Sequence, residues 1–214
     1  MNDRLRLVPL LLALLTPPSL EAEIIDRIAA LIDRQVITLS EVNQVVEIRL
    51  RAPRQGEDEG EYRRRVLDAM VAHTLRYRDV ERFGAADVPA DSIESRLREI
   101  IARFPSEEAF TDTLLRVELT LDEVRALIKR QLQVQAYVDE RFAPMIFVSI
   151  EEIESYYRET WAPQRQERGL RVPPLAEVSE EIRRLVRADR LQDEIDRWTE
   201  QLRARANVDI FVYR

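Results

Sequence analysis

Between Glu23 and Leu50 the apolar positions change period. Ile24, Ile28, Ala30 and Ile32 alternate loosely with polar or small residues, as in a half-buried strand. Asp33-Arg34-Gln35 is a polar break, and Val36-Ile37 restarts the apolar pattern, so the stretch predicts a hairpin. Thr38 and Glu41 then fit a capping box, in which the hydroxyl takes an orphan amide and the carboxylate reaches back. Val42, Val45, Val46 and Leu50 follow at helical spacing. A two-stranded hairpin is marginal by itself in water and needs a third strand or a helix. The candidate third strand stands at the opposite end of the chain, Asn207 to Tyr213.

The remainder is dominated by helical periods. Residues 52–60 form a polar loop, and a helix is expected over 61–83 with Gly84 as its stop. Its stripe is Val66, Leu67, Met70, Val71, Leu75 and Val80. Asp91 and Glu94 suggest a second capping box, ahead of Ile93, Leu97, Ile100 and Ile101. Ser106 opens a short helix with Phe110, Leu114 and Leu115, and Thr120 with Glu123 opens a longer one to about Phe142. At about 1.5 Å per residue the latter spans roughly 33 Å, long enough for a spine. Pro144 breaks it, and Met145 to Val148 is a brief extended apolar run. Ser149 and Glu152 form a fourth box before a helix bearing Ile153, Tyr156, Tyr157 and Trp161. Residues 162–174 hold prolines and charges without a period and read as a loop. A last helix begins at Leu175, with Val178, Ile182, Leu185, Ile195, Trp198 and Leu202 on one face. The fold class is mostly α with a small β-sheet. It is a multi-helix lobe closed by an N-terminal hairpin and a C-terminal strand.

Composition narrows the chemistry. Arg4 and Arg6 precede the short apolar run Leu7 to Leu15, and Ala22 ends the stretch that follows, which is the layout of a secretory signal over 1–22. The apolar run is too short to span a membrane, and no membrane insertion is expected after cleavage. The net charge is −7, and all the basic residues but Lys129 are arginines interleaved with acids along helices. That pattern suits ion pairs on solvated faces, and the acidic balance disfavours nucleic acid as a partner. With no cysteine, one histidine (His73) and four scattered glycines, the chain offers no zinc set and no phosphate cradle. Ser40, Ser106 and Ser149 sit at helix starts, where capping accounts for them. No catalytic constellation emerges, so no enzyme activity, cofactor or metal is expected.

Several stretches, in this order, resemble the SurA-type periplasmic chaperones. They are IIDRIAALIDRQVITLSEV, VLDAMVAHTLRYRDVERFG, VPADSIESRLREI, LTLDEVRALIKRQLQVQAYV and MIFVSIEEIESYYRE, followed by a tail from VPPLAEVSEEIRRLV to ANVDIFV. The resemblance implies a helical chaperone domain over 23–160, completed by a returning helix and strand over 175–214. Members of that family usually carry a parvulin domain in between; here 161–174 stands in its place as a linker. A domain needs at least about 50 residues, so prolyl isomerisation is not expected. The implied function is periplasmic binding of unfolded or outer-membrane-type polypeptides. The candidate client-binding residues are Met145, Phe147, Tyr156, Tyr157 and Trp161. The alternative is a non-catalytic interaction scaffold in an envelope assembly complex.

Overall fold

The computed structural model describes residues 26–213. The leader expected over 1–22, and Ile24 of the expected strand, lie outside them. The protein is mostly helical with one small antiparallel sheet. β1 (Ile28–Ile32) and β2 (Gln35–Thr38) form the hairpin, and β3 (Val208–Ile210) pairs with β1, giving the order β2-β1-β3. Ala30, Leu31 and Ile32 face Ile210, Asp209 and Val208. First and last segments of the described chain therefore share one sheet.

The expected alternation in β1 slips by one residue. A register irregularity between Ile28 and Ala30 buries Ala29 and Ala30 together and leaves Ile28 46% exposed. An extra residue in one strand changes which face its neighbours point to, and period-2 counting cannot see it.

The turn between β1 and β2 is where the tail is tied. Asp33 is left-handed (φ 55°), a conformation that Asp tolerates better than most residues. Its amide donates to the Asn207 carbonyl at 2.8 Å, and its Oδ1 accepts the Asn207 amide at 2.9 Å. Its Oδ2 takes Arg78 at 2.8 Å. The Asn207 amide, and then Arg78, hold this carboxyl below its usual range.

Behind the sheet lie α1 (Leu39–Glu47), α2 (Glu59–Phe83), α3 (Ala90–Ile101), α4 (Glu107–Arg116) and α5 (Leu121–Arg141). Their apolar stripes meet in a core that includes Ile32, Val42, Val66, Ile100, Phe110 and Ile128, all but fully buried. Three of the four expected capping boxes form, at Thr38–Glu41, Thr120–Glu123 and Ser149–Glu152. The Asp91–Glu94 box does not. α3 starts two residues earlier than that box requires, Pro89 occupies the cap position with no side-chain bond, and Glu94 accepts from Arg125 at 2.7 Å. Pro89 combines its ring-fixed φ (−56°) with the extended ψ of a cap residue (137°), and its side chain has no acceptor to offer the first turn.

Beyond α5, a single 3-10 turn (Ala143–Met145) leads to α6 (Ile150–Tyr156), a π-turn (Tyr157–Trp161) and α7 (Ala162–Glu167). The loop expected from residue 162 is thus helical to Glu167. The Ala162 amide reaches back five residues to the Tyr157 carbonyl. The wider turn lets Pro163 follow without the missing amide and ring clash that would break an ordinary helix. α8 (Leu175–Arg203) then returns to the sheet over about 44 Å. It is α8, rather than α5, that visits every part of the described core. Val178, Ile182 and Val186 pack with Ile153 and Trp161; Trp198 packs with Val80, Val134 and Val138; Leu202 reaches the main core. Leu185, expected on that face, is 41% exposed, and Val186 takes its place.

If the tail is held as described, Asp33→Ala accelerates hydrogen exchange at the Asn207 amide and lowers the melting temperature. Asp33→Asn, which keeps the turn and one acceptor, falls between the two. The carboxylate's own contribution is complete above its ordinary value of 3.8 and disappears as pH falls through its lower folded value. Unchanged Asn207 exchange in Asp33→Ala would refute this tether.

Candidate functional site

Among the described residues, the densest run of exposed large apolar side chains begins at the end of the 3-10 turn. Met145 is 61% exposed, Phe147 79% and Ile150 66%. Such exposure at the tip of a loose loop would mean little, but here the backbone is held. Arg183, Arg187 and Arg190 stand along α8 about one turn apart and donate to three carbonyls of this segment. Arg187 reaches Ala143 at 2.8 Å, Arg190 reaches Phe147 at 2.8 Å, and Arg183 reaches Val148 at 3.4 Å. Arg190 also pairs with Glu152 of α6. With its carbonyls satisfied by charged donors, the segment keeps its shape while its side chains project outward. Leaving a large apolar side chain in water forgoes about 1.5–3 kcal/mol of burial. Three within six residues make a lip that a partner could cover.

The five candidate contact residues separate into two groups. Met145 and Phe147 belong to the exposed lip. Tyr156, Tyr157 and Trp161 face the other way, into the cluster that fastens α6 and α7 to α8. Trp161 is 7% exposed, packs with Ile153, Val178 and Ile182, and lies under the Arg165 guanidinium at 4.7 Å. The Tyr157 ring stacks on it at 5.7 Å, and the Tyr157 hydroxyl donates to the Pro173 carbonyl at 2.8 Å. Trp161 thus presents almost no surface to a partner, and the Tyr156–Trp161 group supports the lip from behind. Ile150 was not among the expected residues, because position N1 after a capping serine carries no sign of which way it points. In the sequence the three arginines of α8 have the pattern of solvated charge.

A second feature is concave. A cavity of about 690 Å³ opens between β2, α1, α2, α3, α5 and α8. Arg51, His73, Arg76 and Arg130 are on its wall. His73 is half-buried, stacks on Tyr77 at 6.0 Å, and has an Nε2 that is buried without a hydrogen-bond partner. Burial, then the Arg76 charge, pushes it down to about 4; Arg51 and Arg130 act in the same direction, against a backbone hydrogen bond at Arg130. Burial and the Arg51 charge likewise lower Arg76, against the pull of Asp196. Among the described residues no group of three or more His, Cys, Asp or Glu side chains is gathered as for a metal ion, and no helix is long and apolar enough to cross a membrane.

The packing roles separate by stability. Trp161→Ala should cost about 3–5 kcal/mol in denaturant unfolding, whereas Phe147→Ala should stay within about 0.5 kcal/mol of the parent. Comparable losses would mean that Phe147 is part of the core. His73 gives a pH signature. The unfolded chain takes up its proton near 6.5 and the folded one near 4, so stability falls as pH drops across that window, by up to roughly 3 kcal/mol. His73→Gln should flatten that part of a stability-against-pH curve. An unchanged curve would mean that the ring is not held neutral.

No known family model matches the chain. Part of it is similar to the curated protein Chaperone SurA of Saccharophagus degradans, at 24% identity over 145 residues. The match takes in 65% of this chain and 34% of the relative, so the chain spans about a third of the length of the curated relative it matches. This similarity relates the chain to a chaperone.

Proposed function

We propose that the chain is a chaperone that binds unfolded polypeptides in the periplasm, with outer-membrane-type proteins as clients and without prolyl isomerase activity. The observation that carries this reading is the pinned apolar lip, Met145, Phe147 and Ile150, exposed on a backbone that α8 holds in place. A surface of a few adaptable apolar groups with charges around it suits weak and promiscuous capture. Arg187, Arg190 and Glu152 supply that charged rim. The similarity to Chaperone SurA supports the same direction, and the signal layout over 1–22 supports export.

In this reading 23–160 and 175–214 are one chaperone lobe, and 161–174 stands where the resembling family carries its parvulin domain. The short helix α7 and the segment 168–174 fill that interval. The lip would hold apolar stretches of a client by burial alone, so binding should fade as clients fold and withdraw those stretches. No group needs to react.

The test is suppression of aggregation of several unrelated denatured proteins, including an outer-membrane barrel protein. Met145→Ser/Phe147→Ser should weaken suppression several-fold across all of them while leaving the melting temperature nearly unchanged. Full suppression by the folded double variant would remove the lip from the reading. Indifference of the parent chain to every client would favour a scaffold that binds one folded partner.

A further inference from the structure

We propose that the arginine-walled cavity is a second binding site, which takes a segment of polypeptide carrying a carboxylate beside apolar side chains. The inference rests on the reading that the chain binds unfolded polypeptide, and it adds a preference that the lip cannot supply.

The charges around the cavity are unequal. Six arginines stand on its wall, and three of them are already engaged. Arg65 pairs with Glu57 at 2.6 Å, Arg96 pairs with Glu99, and Arg103 donates to the carbonyls of Arg49 and Leu50. The wall's two acids are also committed. Glu41 accepts the Thr38 amide at 2.8 Å and Glu123 accepts the Thr120 amide at 2.7 Å, each completing a helix cap. Arg51, Arg76 and Arg130 remain, and none of them forms an ion pair among the described residues. Arg76 donates its Nε to the Ala72 carbonyl at 3.3 Å, and Arg130 lies over the Tyr77 ring at 6.0 Å. Asp196 of α8 offsets the Arg76 charge in part and itself accepts from Gln192.

Arg51, Arg76 and Arg130 line one concave space without a carboxylate partner. Burial, and after it neighbouring positive charge, lowers the basicity of Arg51 (from Arg65 and Arg54), of Arg76 (from Arg51) and of His73 (from Arg76, Arg51 and Arg130). An anion would offset that charge. In a chain of net charge −7 this is a local field of opposite sign, which draws in acids that the rest of the surface repels. Size and lining select the kind of anion. About 690 Å³ is ample for several side chains, and Val45, Leu50, Met70 and Leu127 give the same wall an apolar part. A small inorganic ion has no use for those residues. A peptide with an acidic residue between apolar ones uses both, the carboxylate meeting a planar guanidinium fork and its neighbours meeting the apolar wall.

Two short labelled peptides test this with the whole protein: one alternating Asp with Phe and Leu, the other identical but with Asn for Asp. The Asp peptide should bind about tenfold tighter at low salt, as one charge-assisted contact gives. The double variant Arg76→Gln/Arg130→Gln should erase that difference without weakening the Asn peptide. The lip variant Met145→Ser/Phe147→Ser should weaken both peptides and keep their ratio. The parent protein gives a second readout, because His73 is its only histidine: its ring signal in NMR should shift with the Asp peptide, and its pKa should rise. Equal affinities with a motionless His73 signal overturn the inference and leave the chaperone reading standing. Binding of neither peptide overturns both. Inorganic phosphate displacing the Asp peptide at equal concentration also overturns the inference, since the site would then serve small anions.

Discussion

Residues 207–211 reach back across 174 positions to close a sheet with the hairpin that opens the described chain. The contact is mostly backbone. The Asp33 amide meets the Asn207 carbonyl, and the Phe211 amide meets the Ala29 carbonyl at 2.9 Å. The Asp33 carboxylate adds the Asn207 amide on one oxygen and Arg78 of α2 on the other. A hairpin alone cannot satisfy or bury its own edge, so the third strand converts a marginal element into a wall of the core. Everything between those ends must then fit a loop that closes. α8 in particular is obliged to run back along the helices it follows.

That obligation explains how one long amphipathic helix serves three apolar clusters in succession. Its first turns bind α6 and α7, its later turns place Trp198 against α2 and α5, and its last turn delivers Leu202 to the main core. Trp198 is fixed at both ends of its ring system: Nε1 donates to Asp79 at 3.1 Å while Tyr137 stacks on it at 5.4 Å. The outward charge of the same helix is used as well, since Arg183, Arg187 and Arg190 hold the carbonyls from Ala143 to Val148. Sheet closure and the exposed lip are in this way linked through a single rigid element.

Charge has two opposite uses in this protein. Over most of the surface, acids and arginines pair locally, as Arg63 does with Glu59 and Arg125 with Glu94 and Asp122, and such exposed pairs contribute little each. At the concave face the two acids of the wall serve helix caps, and Arg51, Arg76 and Arg130 are left without an ion pair among the described residues. Glu41 and Glu123 illustrate the point: each turns a carboxylate oxygen to a helix cap, and neither forms an ion pair with an arginine of the wall among the described residues. Local folding signals thereby create a tertiary electrostatic feature.

What the sequence determined by itself is what short-range physics governs. Thr38, Thr120 and Ser149 with their partners three residues on announced helix starts, Gly84 with its positive φ marked a helix end, and the 3.6-residue stripes foretold which faces are buried. The terminal strand was legible because an isolated hairpin needs company. Tertiary structure decided the rest. A one-residue slip in β1 turned Ile28 outward, a π-turn carried the helix past Pro163, and Glu94 left a cap for Arg125 across the interface. Period and propensity are equally blind to the direction of Phe147 and Trp161, one in water and one in the core, because that depends on where α8 passes. Nor could they foresee that arginines from α2, α5 and the segment after α1 meet around one histidine, since residues far apart in sequence become neighbours only when the chain closes on itself.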